Sequence, residues 1–192
     1  MRTMKTKCAW AVKHKIEEDY HDLEWGVPIF DDRLLFESLI LESAQAGLSW
    51  YTVLIKRDNY RIAFDNFDAS KIIKYTQPKI DELLLNKGII RNKLKINATI
   101  TNAKIFLEVQ KEYGSFSNYI WSFSNGKPIQ NKWPSSKEVP AKTELSDTMS
   151  KALKKKGFKF IGTTICYAYM QAIGMVNDHT TDCFRHNHIK NI

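Results

Sequence analysis

Apolar residues at helical spacing, interrupted by one glycine, constrain this chain most. Leu35, Phe36, Leu39 and Ile40 recur with the period of one helix face. Gly47 breaks the pattern, and Val53, Leu54 and Ile55 resume it. Asp31 and Asp32 stand where a cap for the first helix is needed, and Ser49 where one is needed for the second. Two helices meeting at a glycine turn Glu42 and Trp50 toward a common cleft. The surrounding stretch, Tyr20 to Trp50, also holds Tyr20, His21 and Trp25. Folding alone does not require this mixture, so the stretch reads as a binding site.

The rest of the chain continues in helices. Pro78 opens a short amphipathic segment that ends at Gly88, and a long one follows Ile89-Ile90 through Leu94, Ile96, Ile100, Ala103, Ile105 and Phe106. Lys87, Arg91, Lys93 and Lys95 surround this turn. A tight turn with exposed amides and cations suits one backbone phosphate, although an ordinary helical hairpin has the same pattern. Farther on, Ser146 is placed to cap a helix that stops at Gly157, and Thr163 or Thr164 to cap an apolar helix ending at Gly174. Strand alternation, internal repeats and long linkers are not evident. The expectation is one all-α domain over residues 1–192.

Composition narrows the class. Hydrophobic residues make up 43% and charged residues 26% of 192 residues, as in a folded globular protein. The net charge of +8 favours a polyanionic partner such as nucleic acid, and a merely basic soluble protein has the same balance. Cys8, Cys166 and Cys183 are too few and scattered for a disulfide framework. Met1-Arg2-Thr3-Met4-Lys5 is basic but leads into no signal-peptide core. The uncharged run from Phe160 to Val176 is broken by Gly162, Thr163, Thr164, Gln171 and Gly174, which suits a buried helix rather than a membrane span. These features point to a reduced, soluble, cytoplasmic protein.

Two groups of residues carry chemistry. His179 and Cys183 are spaced to turn toward one ion, and Cys8 with His21 supplies a second pair. Four protein ligands close a coordination shell, so such an ion is structural; His186 and His188 are rival ligands by spacing, and spacing alone favours metal-free surface histidines. Glu42, flanked by Leu41, Ala44 and Ala46, is a carboxylate in an apolar setting, where an unpaired charge is costly. A solvated helix-end glutamate is the alternative, as a filled core is for Trp10, Tyr20, Trp25 and Trp50.

Together these blocks resemble the DNA-3-methyladenine glycosylase I family along nearly the whole chain. The resemblance rests on Tyr20-His21-Asp22 to Glu24-Trp25-Gly26-Val27-Pro28, on Leu41-Glu42 to Gln45-Ala46-Gly47-Leu48-Ser49-Trp50, and on Gly88-Ile89-Ile90-Arg91. It continues through Trp121-Ser122-Phe123, Ser150-Lys151-Ala152-Leu153-Lys154-Lys155 with Gly157-Phe158-Lys159-Phe160, and Gly162-Thr163-Thr164-Ile165-Cys166-Tyr167 to Asn177-Asp178-His179. The resemblance implies a helix-hairpin-helix fold, its hairpin over about residues 78–106, with excision of 3-methyladenine from alkylated double-stranded DNA. It implies a structural zinc on Cys8, His21, His179 and Cys183, tying segment 8–21 to segment 179–183. It assigns base recognition and catalysis to Glu42, stacking to Tyr20 and Trp50, and the pocket lining to Trp10 and Trp25. Gly47 and Leu48 would face the gap in the duplex; Gly88, Arg91 and Lys93 would meet the backbone. Ile90 stands where the wider superfamily has a second glycine, and the superfamily's usual catalytic aspartate is not recognisable.

The implied chemistry is hydrolysis of an N-glycosidic bond by a monomer acting in base-excision repair. Methylation at N3 makes the base cationic, so it departs neutral without a general acid. No residue is assigned to the attacking water. Two other classes compete: a non-catalytic, zinc-containing helix-hairpin-helix DNA-binding module, and a zinc hydrolase with Glu42 as base.

Overall fold

The computed structural model describes residues 5–190. Of the basic opening Met1-Arg2-Thr3-Met4-Lys5, the first four residues therefore lie outside the described part. A 3-10 turn at Ala9–Val12 leads into α1 (Lys15–Leu23), α2 (Asp32–Gln45), α3 (Trp50–Leu54), α4 (Arg57–Ala63), α5 (Ala69–Ile72) and α6 (Gln77–Leu85). Then come α7 (Lys93–Tyr113), α8 (Phe116–Ser122), α9 (Glu144–Lys156), α10 (Thr163–Ala172) and α11 (Phe184–Lys190). A two-residue parallel ladder joins β1 (Ile129–Gln130) to β2 (Val176–Asn177). It is too short to show as alternation in the sequence. Among the described residues, no helix is long and apolar enough to cross a membrane.

The core forms around α2, whose residues Leu35–Phe36–Glu37 and Leu39–Ala44 are all buried. A helix buried all round needs neighbours on every side; α3, α7, α8 and α10 provide them. Asp31 caps α2 by accepting from the Leu34 amide at 2.9 Å, and Ser49 caps α3 by accepting from Thr52. At α9 the cap is Thr143 rather than Ser146. Ser146 is the third helical residue and closes a reciprocal capping box with Thr143. At α10 neither threonine caps: Gly162 is the N-cap, and the Thr163 hydroxyl instead meets Ser146 Oγ at 2.9 Å, tying two helix starts together.

Gly174 sets the position of the site's outer wall. Its φ is +71°, and a Cβ there would lie 2.4 Å from the Val27 carbonyl carbon. The absence of a side chain lets segment 26–29 lie against the end of α10, where Gly26 donates to Gln171 O and Ile29 to Ile173 O.

Candidate active site and metal cluster

A cavity of about 420 Å³ opens where α1, α2, α3 and α10 converge, lined by Trp10, Tyr20, Trp25, Glu42, Trp50 and Gln171 among others. Glu42, three residues from the end of α2, projects inward from the central helix and is 3% exposed. Its Oε2 is enclosed and has no hydrogen-bond partner. Burial pushes its carboxyl up to about 8, because a charge there lacks both water and a counter-ion. The Tyr20 and Trp50 rings face each other at 5.2 Å between centroids, tilted by 46°. Trp10 packs edge-on against Trp25 at 5.1 Å. Trp50 Nε1, like Glu42 Oε2, is buried without a partner. Arg57 holds Glu24 through two short bonds, 2.6 and 2.8 Å, and lies over the Tyr20 ring, 5.9 Å from its centre. Such a space suits a flat, electron-poor guest with donors along one edge.

A second constellation adjoins the first. Cys8, His21, His179 and Cys183 are all buried, and their ligand atoms lie within 4.8 Å of one another, so they could hold a metal ion. His21 Nδ1 meets Asp22 Oδ1 at 2.8 Å, which leaves Nε2 to face the cluster. His179 Nε2 meets the Trp25 carbonyl at 3.0 Å, leaving Nδ1 to face it. Both rings are thus oriented by their second nitrogen, as metal-binding histidines are. Burial lowers the His179 pKa, favouring the neutral imidazole that ligation requires. The Cys8 thiol is raised beside Cys183, which is itself lowered by Cys8 and then by both histidines. The pair thus shares one proton, which a bound metal ion would displace to make both sulfurs thiolate ligands. His186 and His188 are not in the cluster: His186 Nε2 contacts the Asn131 carbonyl, and His188 Nδ1 contacts Arg185.

A family model described as methyladenine glycosylase matches residues 10–186. The chain belongs to the methyladenine glycosylase family. This glycosylase is 53% identical over 180 residues to a DNA-3-methyladenine glycosylase of Haemophilus influenzae, covering 94% of this chain and 97% of that one. It is 46% identical over 177 residues to DNA-3-methyladenine glycosylase 1 of Escherichia coli, covering 92% and 95%. Its fold superposes on a crystal structure of 3-methyladenine DNA glycosylase I with a TM-score of 0.91 at 49% identity, over 93% of this chain and 98% of that one. A variant of 3-methyladenine DNA glycosylase I crystallised in complex with 3-methyladenine gives 0.90 at 35% identity, over 93% and 96%.

The remaining sequence-assigned residues of this glycosylase lie away from the cavity. Gly47, with φ +78°, and Leu48, 41% exposed, form the turn between α2 and α3. Gly88, Arg91 and Lys93 lie in or beside the turn over residues 86–92 that joins α6 to α7, and Arg91 and Lys93 are exposed. Two features differ from expectation. Lys95 is not a free cation: its Nζ donates to the carbonyls of Ala44 and Ala46, each at 2.8 Å, and so holds the end of α2. The turn's amides are also largely occupied. Gly88 donates to Asn86 Oδ1, Ile89 to Asn86 O, Ile90 to Tyr60 Oη and Asn92 to Ile90 O, which leaves anion contact chiefly to side chains.

Sequence reasoning also missed two carboxylates that line the cavity, Glu17 and Asp178. Glu17 reads as one more residue of the acidic run Glu17-Glu18-Asp19, and its only signal is its helical spacing from Tyr20 and His21.

Proposed function

We propose that this protein is a monofunctional DNA glycosylase that removes 3-methyladenine from alkylated duplex DNA by hydrolysing the N-glycosidic bond. The observation that supports this reading best is the unpartnered Glu42 Oε2, enclosed beside Tyr20 and Trp50 in a cavity large enough for a purine. The damaged nucleotide leaves the stack at a cost of a few kcal/mol, offset by phosphate contacts. Arg91 and Lys93 beside the Gly88 turn make those contacts, with the α6–α7 hairpin serving as the helix-hairpin-helix element, while Gly47 and Leu48 approach the vacated duplex position. Stacking on Tyr20 and Trp50 favours a cationic base, a contact worth about 1–2 kcal/mol when desolvated. Glu42 accepts from the donor edge of the base. Trp10 and Trp25 close the pocket wall.

Zinc fits the four-residue cluster. A tetrahedral zinc, with nitrogen at about 2.1 Å and sulfur at about 2.3 Å, separates ligands by roughly 3.4 Å for N···N and 3.6 Å for N···S. The separations here are 3.1 Å for His21 to His179, and 3.4 to 3.7 Å for Cys183 to each histidine and Cys8 to His179, with all four ligand atoms within 4.8 Å of one another. Zinc would hold segment 8–21 against segment 179–183 and supply stability, not chemistry. We read the chain as one monomeric, soluble, cytoplasmic domain.

The zinc-hydrolase alternative needs a water position on the ion, and four protein ligands fill the shell. The non-catalytic module needs no carboxylate buried in an aromatic cavity. One assay separates all three: release of free 3-methyladenine from alkylated DNA, measured with and without a chelator. Base release by zinc-replete protein is expected, and its absence would overturn the reading.

A further inference from the structure

Three carboxylates line the cavity: Glu17, Glu42 and Asp178. They differ in how their oxygens are used. Asp178 Oδ1 accepts from Asn131 Nδ2 and Trp133 Nε1, at 2.6 and 2.8 Å. Its Oδ2 accepts from Tyr167 Oη and Gln171 Nε2, at 2.6 and 2.8 Å. Four donors occupy both oxygens, so it acts as a brace between α10, β2 and the 131–133 segment. Glu42 faces the base. Glu17 remains.

Glu17 is 8% exposed, and its Oε2 is enclosed without any hydrogen-bond partner. The adjacent acids of α1 are neutralised by lysines: Glu18 by Lys7 at 2.6 Å and Asp19 by Lys15 at 2.6 Å. Among the described residues no cation pairs with Glu17. It lies one helical turn before Tyr20, on the face that also carries His21. An unpaired, enclosed carboxylate is unfavourable for folding.

We propose that Glu17 is a second catalytic carboxylate, the group that orients the attacking water and takes its proton. This inference rests on the glycosylase reading. Glycoside hydrolysis generally uses two carboxyl groups, and a cationic base needs no acid to leave. The bond from C1′ to the base nitrogen breaks, and its electron pair neutralises the positive charge on the departing base. The water oxygen bonds to C1′, and one water proton passes to Glu17. Glu42 holds the base; Glu17 serves the sugar.

The test is single-turnover excision from a duplex containing 3-methyladenine, by wild type, Glu17→Gln and Glu17→Ala, alongside titration of each protein with free 3-methyladenine. General-base removal predicts a loss of about 100-fold or more in the excision rate, with base affinity within about twofold of wild type. Sodium azide, a nucleophile that needs no deprotonation, should restore Glu17→Ala at least tenfold and give the C1′-azido sugar. The isosteric Glu17→Gln guards against a folding defect in the alanine variant. Excision by both variants within threefold of wild type would overturn the role. So would slow excision with base affinity lost, or with no azide rescue. Absence of base release by wild type is a separate result, which overturns the glycosylase reading and this inference with it.

Discussion

Tyr20 and His21 are neighbours on α1, yet they belong to different constellations. His21 Nε2 lies 3.1 Å from His179 Nδ1 in the metal cluster, while the Tyr20 ring lies 5.2 Å from Trp50 in the cavity. Trp25 joins them from outside the helix: its carbonyl accepts from His179 and its ring packs on Trp10. The cluster therefore fixes where one wall of the cavity stands.

Metal removal is expected to disturb the cavity as well as the fold. A chelator, or His179→Ala, should lower the urea midpoint and weaken binding of free 3-methyladenine, and added zinc should restore both in the wild type only. Stability falls by several kcal/mol because ligand binding energy here is folding energy. Metal analysis with parallel denaturation measures it. Unchanged stability after complete metal removal would refute the staple.

Glu42→Gln is expected to reduce 3-methyladenine excision about 100-fold, the loss of roughly 3 kcal/mol from a charge-assisted hydrogen bond. Affinity for undamaged duplex should stay within about threefold, since Glu42 is buried away from the surface. Single-turnover kinetics and fluorescence anisotropy give the two numbers.

The pH dependence follows from the raised Glu42 carboxyl. Its folded pKa of about 8 exceeds the ordinary 4.5. The folded state therefore binds the proton more tightly, and this contribution to stability is full below pH 4.5 and lost as pH rises through 8. The wild type should lose more stability than Glu42→Gln between pH 6 and pH 9.5, read from urea midpoints. Excision under subsaturating conditions should rise over the same range, because the ionised form receives the cationic base, and Glu42→Gln should be flat.

Lys93 and Lys95 are expected to separate binding from folding. Lys93 is exposed at the start of α7, so Lys93→Ala should weaken DNA binding and lower the salt slope by about one, with stability unchanged within about 0.5 kcal/mol. Lys95→Ala leaves the Ala44 and Ala46 carbonyls without their donor and should cost about 1–3 kcal/mol of stability. Salt titrations and urea melts of both variants distinguish the roles.

Gly174→Ala should destabilise by at least about 2 kcal/mol. The left-handed backbone strains any side chain, and the new Cβ meets backbone at 2.4 Å, which cannot yield as a flexible side chain would. A urea midpoint equal to wild type would show that segment 26–29 moves freely.

Residue order alone sets what depends on near neighbours. Helix periodicity around α2, the caps at Asp31 and Ser49, and the break at Gly47 are set within a few residues, and the blocks along the chain mark the family. Tertiary structure decided what depends on residues far apart in the chain. Ser146 has the composition of a cap, but Thr143 completes the box and Ser146 turns to Thr163 on another helix. Lys95 resembles a phosphate-binding cation until α2 places two carbonyls beside it. Glu17 looks solvated in an acidic run, and it becomes an enclosed carboxylate only because segment 8–10, α10 and the 136–140 loop close around the same cavity. Burial is a property of the assembled neighbours, and helical spacing fixes only which face a side chain occupies.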